Sequence, residues 1–134
     1  EYPLEAVKQG MKVIMSPAHK AYVDMKYDST TRLGLSWAGF IEVDTAYLWD
    51  PATMVDGIDK KNIIGIEAPL WTETVTTIDE IEYMAFPRMA GYAEIGWTPA
   101  SARDWAAYKK RLAAHGKRLE ALEVDFYRSP LVQW

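Results

Sequence analysis

The stretch Asn62 to Glu73, Asn-Ile-Ile-Gly-Ile-Glu-Ala-Pro-Leu-Trp-Thr-Glu, limits the folds open to this chain more than any other. Ile63, Ile64 and Ile66 form a short β-branched run, the composition of a strand covered on both faces. Ala68-Pro69 ends it, because proline cannot donate to a ladder. Trp71 and Glu73 then fall in the loop leaving the strand. In a parallel sheet that loop lies at the carboxyl ends of the strands, where α/β folds gather their ligands. Trp71 and Glu73 are therefore site candidates.

The same arrangement occurs earlier. Lys12-Val13-Ile14-Met15 is a second strand pattern, stopped by Ser16-Pro17 and preceded by a helix end over Tyr2 to Gly10 with Gly10 as its cap. His19 to Tyr27 reads as loop with some extended structure, and Leu35 to Pro51 as a long ordered loop over the strand ends. After Glu73, Thr77-Ile78-Asp79-Glu80 fits a capping box opening a helix to about Phe86, with Ile78, Ile81 and Met84 or Ala85 buried. Tyr92 to Trp97 is a third strand candidate. From residue 101 to about 126 the pattern is helical, with Trp105, Tyr108, Leu112, His115, Leu119, Leu122 and Phe126 on one stripe. Gly116 is expected to loosen that helix, and His115 reads as a packed or edge histidine. Lys109, Lys110, Lys117 and Arg118 lie opposite and read as a solvated face, since Asp104, Glu120 and Glu123 interleave with them.

Alternating short strands and helices point to a parallel α/β architecture. Three strands cannot close a barrel, and an eight-fold barrel takes ~250 residues. At 134 residues the chain reads as part of such a barrel or as a small open sheet. Exposed parallel edges then predict self-association or packing on the missing half. With Glu1 first and no initiator methionine or leader pattern, the sequence reads as cut from something longer.

The totals remove whole classes of function. A formal net charge of -4 gives no general attraction to nucleic acid or anionic membrane, and no run of ~18 apolar residues spans a bilayer. There is no cysteine, and the two histidines are far apart, so neither a metal nor another cofactor is expected. Six Trp and eight Tyr against three Phe favour rings with a polar handle, suited to sugars, interfaces or core alike. Tyr22 and Asp24, two apart in an extended segment, can grip one ligand. Trp37 and Trp71 add flat apolar walls and Glu73 a second carboxylate. Indoles against the apolar faces of sugar rings, with carboxylates for the hydroxyls, match carbohydrate chemistry. Spacing alone leaves core packing open for each tryptophan.

Several motifs, taken in order, resemble the retaining β-N-acetylhexosaminidases of glycoside hydrolase family twenty. They are Val13-Ile14-Met15-Ser16-Pro17, Ala21 to Tyr27, Trp37-Ala38-Gly39, Tyr47 to Pro51, Gly65 to Glu73, Phe86-Pro87-Arg88 and Ala93-Glu94-Ile95-Gly96-Trp97. The resemblance implies about the last three β/α units of a TIM (β/α)8 barrel and an N-acetylhexosamine-containing oligosaccharide as ligand. It implies a substrate-assisted mechanism in which the sugar's own acetamido carbonyl attacks the anomeric carbon. Tyr22 would orient that acetamido group, Trp71 would wall it, and Asp24, Trp37 and Glu73 would hold the ring and outer hydroxyls. Arg88 falls in a motif read as structural, pairing within the barrel. The family's adjacent Asp-Glu pair, which supplies the general acid, belongs to an earlier strand outside this chain, and Asp79-Glu80 imitates only its letters. The alternative is a carbohydrate-binding or structural remnant without hydrolytic power. A secreted or cell-envelope location is implied by the family alone.

Overall fold

The computed structural model describes residues 2–134. Helix α1 (Tyr2–Lys8) ends where Gly10 takes φ +84°, a left-handed conformation that glycine enters without a Cβ clash. The chain then enters β1 (Val13–Met15), which pairs in parallel with β2 (Ile63–Ile66), Val13 facing Ile63 and Met15 facing Ile66. Both strands fall where the β-branched runs predict them. They are not covered on both faces within this chain, because Ile14 and Ile64 are 58% and 64% exposed.

The long crossover between the strands is more structured than its sequence indicates. Part of the segment read as loop and extended chain is a helical turn, α2 (Ala18–Ala21), and the extended run expected through Tyr22 and Asp24 is instead a turn, closed by the Met25 amide donating to the Tyr22 carbonyl (3.2 Å). The segment read as a long loop contains α3 (Val43–Tyr47). Its signal was present: the Glu42 side chain accepts from the Val43 amide as an N-cap, and Val43, Ala46 and Tyr47 are buried at three- and four-residue spacing.

Helix α4 (Ile78–Ala85) opens with the predicted capping box, Thr77 accepting from the Glu80 amide while Glu80 reaches back. Its buried face differs from the expected one. Met84 is fully buried, but Ile78 is 66% exposed and Ile81 is also exposed, because the first turn stands at the surface over Arg32. The expected third strand is absent: Tyr92 to Trp97 lies in helix α5 (Arg88–Trp97). The six-residue window hid the period; extended back to Arg88 it shows Arg88, Gly91, Tyr92 and Ile95 buried at helical spacing. The described residues thus hold two paired strands and one isolated bridge, Met25 with Leu35, in place of three strand units.

Helix α6 (Trp105–Ala121) is capped by Asp104, whose carboxylate accepts from the Ala107 amide, and it buries Tyr108, Leu112 and Leu119. It is shorter than the predicted span to 126. Glu123 turns the chain at φ 57°, leaving Leu122 exposed, while Phe126 is buried from the following tail. Gly116 does not interrupt the helix. A Cβ there would stand 2.8 Å from the Trp134 ring, so this glycine makes room for the carboxyl-terminal tail to lie against α6. His115 is half-buried on α6, as the packed or edge reading expects.

The main core joins β1, α3, α5 and α6, while a smaller cluster of Tyr27, Leu33, Val75 and Met84 holds α4. Met15, Val23, Met25, Ile41, Val43 and Ala46 pack with Tyr92 and Ile95 of α5 and with Tyr108 and Leu112 of α6. The Tyr47 and Tyr108 rings stack at 4.0 Å and 5°. Burying such rings contributes roughly 1.5–3 kcal/mol each relative to exposure. At the core edge the Tyr47 hydroxyl donates to Glu94 (2.7 Å), which also accepts from Arg111 (2.6 Å). The effect is to fix two loops, residues 22–42 and 67–76, which leave the carboxyl ends of β1 and β2.

Candidate functional site

Tyr22 is the first extended residue after α2, with φ -77° and ψ 107°. From there the chain turns through Val23 and Asp24 and is stitched on two sides. On one edge Leu35 donates to the Asp24 carbonyl (2.9 Å) and its own carbonyl accepts from Lys26 (2.8 Å). On the other edge the Val23 amide donates to the Pro69 carbonyl (3.0 Å), tying the loop after β1 to the loop after β2. A third tie runs from the Gly34 amide to the Thr74 hydroxyl (2.7 Å), directly beside Glu73. Gly34 is required there: its φ is +91°, and a Cβ would stand 2.6 Å from the Asp24 carbonyl oxygen.

This stitching brings the predicted residues together. The Tyr22 ring meets Trp37 edge to face at 6.0 Å and Trp71 at 6.4 Å and 46°. Trp37 is 66% exposed and Trp71 53%, so neither indole is core. Large apolar rings left in solvent around one tyrosine form a surface made to be covered. Asp24 sits behind them, 2% exposed, and its Oδ1 accepts no hydrogen bond from the protein. Burial pushes its carboxyl above the ordinary aspartate range, the Trp71 peptide N–H and the Arg88 charge oppose that, and neighbouring Glu73 adds to it. Glu73 itself is exposed, with its charge near enough to act on Asp24. The result is an aromatic corner with one buried and one exposed carboxylate.

The corner is an open shelf. A concavity of about 510 Å³ lies elsewhere, between α6 and the tail, lined by Ala106, Lys109, Ala113 and Leu131. No group of histidine, aspartate and glutamate side chains among the described residues is arranged to hold a metal ion.

Asp79 and Glu80 take no part in the corner. The Glu80 carboxylate accepts from the Thr76 amide (2.8 Å) and hydroxyl (2.9 Å) and pairs with Arg32 (3.2 Å). The Thr76 bonds, with Arg32 beside them, pull it down to about 2, so it is ionised wherever a general acid would need its proton. Arg88 is buried in the protein interior, as the structural reading expects, but its partners are backbone carbonyls and no carboxylate. Sequence reasoning missed the tie between Gly34 and Thr74. Its only signal was a glycine in a turn-rich stretch, which does not say what approaches it.

The chain matches glycosyl hydrolase family 20, catalytic domain, over residues 1–100. It is 44% identical over 129 residues to a β-N-acetylhexosaminidase of Cellulomonas fimi, covering 96% of this chain and 26% of that protein. It is 31% identical over 117 residues to an N,N'-diacetylchitobiase of Vibrio harveyi, covering 73% of this chain and 13% of that protein. The structure of the Streptomyces plicatus N-acetyl-β-hexosaminidase in complex with Thio-NAglucal superimposes with a TM-score of 0.95 at 53% identity, over 98% of this chain and 26% of that one. The chain therefore spans about a quarter of the length of relatives such as the Cellulomonas and Streptomyces enzymes.

Proposed function

Because the chain belongs to glycosyl hydrolase family 20, a TIM-barrel family of hexosaminidases, we propose that it supplies part of the sugar subsite of a retaining β-N-acetylhexosaminidase. The observation that carries this reading is the aromatic corner. Tyr22 stands between two exposed indoles, beside a buried carboxylate, on loops that follow the carboxyl ends of two parallel strands.

The ligand is a terminal β-linked N-acetylhexosamine of an oligosaccharide. Its apolar ring face lies against indole, with Trp71 walling the acetamido group and Trp37 flanking the ring. Asp24 and Glu73 accept from the outer hydroxyls. The free Oδ1 of Asp24 supports that role, since a buried carboxylate oxygen without a partner is costly until a donor reaches it. Tyr22 donates to the acetamido oxygen. As that carbonyl attacks the anomeric carbon and the glycosidic bond breaks, charge spreads over the forming oxazolinium ring, and the tyrosine hydroxyl holds the attacking oxygen in line. The general acid comes from residues outside this chain. By itself the chain is expected to bind weakly and to turn over nothing.

Strands β1 and β2 each keep a free edge, and packing against further strands or a second copy belongs to the same proposal. A monomer that light scattering finds unchanged on dilution counts against it. The functional test is Tyr22→Phe in the complete enzyme, with nitrophenyl N-acetyl-β-glucosaminide as substrate. The hydroxyl acts mainly in the transition state, so kcat should fall far more than KM rises. An unchanged kcat removes Tyr22 from the mechanism.

A further inference from the structure

Arg88 opens α5, where the positive end of the helix dipole disfavours a cation, and its side chain is fully buried. Among the described residues no carboxylate is within ion-pair distance. All five of its N–H donors are nevertheless used: Nη1 on the carbonyls of Met25 (2.7 Å) and Ile41 (3.0 Å), Nη2 on those of Val23 (2.6 Å) and Met84, and Nε again on Met84. The guanidinium carbon lies 3.8 Å from the Tyr27 ring centroid. A buried charge held only by backbone and one ring is an expensive way to fill space, since apolar side chains fill cores without that desolvation cost.

The choice of carbonyls gives the reason. Val23 and Asp24 form a turn, closed by the Met25 amide on the Tyr22 carbonyl (3.2 Å), and its carbonyls leave in different directions. Val23 and Met25 point theirs at Arg88, while Asp24 between them points its own at Leu35. Arg88 thus holds the carbonyls on either side of Asp24 in this turn. We infer that Arg88 is a positioning residue for Asp24: its planar fork fixes the two carbonyls that flank Asp24 and so sets where that carboxylate meets the sugar. Lysine cannot reproduce this, because a compact ammonium has three donors and no fork. The inference rests on the sugar-subsite reading above.

The test uses the complete enzyme and nitrophenyl N-acetyl-β-glucosaminide beside its 4-deoxy and 6-deoxy analogues. If Asp24 is displaced, Arg88→Lys lowers kcat/KM on the intact sugar roughly tenfold, the worth of one hydrogen bond to a charged group, and by less than about twofold on the analogue lacking the hydroxyl Asp24 holds. Equal losses on all three sugars overturn the inference, since a merely structural role does not distinguish them. Amide exchange gives a readout independent of turnover. The Lys26 and Leu35 amides, on the edge Arg88 does not touch, should exchange about tenfold faster in the variant, with those of Leu112 and Leu119 unchanged. Acceleration everywhere alike, or nowhere, also overturns it. Arg88→Gln, with two donors and no charge, is the second variant if the lysine form does not fold. An enzyme inactive on all three sugars before mutation would refute the hexosaminidase reading alone, and the exchange result would still decide Arg88.

Discussion

Gly34→Ala puts a single carbon against the backbone that carries Asp24. Gly34 has φ +91°, and the added Cβ would stand 2.6 Å from the Asp24 carbonyl oxygen, 2.6 Å from the Met84 methyl and 3.2 Å from the Lys26 nitrogen. Gly39, in the same loop, has φ +103° and nothing within 4 Å of such a carbon. Alanine at Gly39 therefore carries only the left-handed backbone cost of about 1–2 kcal/mol. At Gly34 the same cost is joined by overpacking of about 1–3 kcal/mol, for a total of about 2–5 kcal/mol. Met84 is fully buried and the carbonyl belongs to the ladder with Leu35, so relief has to come from shifting Asp24. Urea unfolding of both variants reads the difference directly, and sugar turnover should fall in Gly34→Ala but not in Gly39→Ala. Equal urea midpoints for the two variants would refute the close approach on which this account of Asp24 depends.

Two carboxylates have opposite pH signatures. Asp24 is held above its ordinary pKa of 3.8, so folding disfavours its charged form, and its cost appears as pH rises through that range. Asp24→Asn should accordingly melt higher than the native chain at pH 7, lose that advantage by about pH 3, and bind sugar poorly; a lower melting temperature at pH 7 contradicts the buried, unpaired carboxylate. Glu80 lies at about 2, below an unfolded value of ~4.3, so its contribution is full above about pH 5 and disappears as pH falls towards 2. The stability difference between the native chain and Glu80→Gln, followed by thermal melts, should shrink over that window and not above it.

Much of the site was legible because its residues are exceptions to ordinary packing. Trp37 and Trp71 stand in solvent, so residue type already pointed to a ligand, although Tyr22 and Asp24 lie in a turn and not in the extended segment expected. The capping box at Thr77 was equally legible, being a local pattern with a local cause. What failed were judgements that need a longer window or a tertiary partner. Tyr92 and Ile95 read as strand until the period is counted from Arg88, and Gly116 reads as a helix breaker until Trp134 is seen against it. Ile78 and Ile81 fit a helix stripe, yet which stripe faces the core depends on where α4 lands. The Arg88 clamp is still less visible, since its partners are backbone carbonyls that carry no side-chain signature.

The central claim is that Tyr22 and its neighbours hold an acetamido group that does the chemistry of the first step. Its most direct test compares nitrophenyl N-acetyl-β-glucosaminide with nitrophenyl β-glucoside, which differ in having acetamido or hydroxyl at the second carbon, as substrates of the complete enzyme. Rapid release of nitrophenol from the first with none detectable from the second is the predicted result. Comparable rates on both would mean that the nucleophile is not the substrate's own carbonyl, and that the corner of Tyr22, Trp37 and Trp71 serves some other ligand.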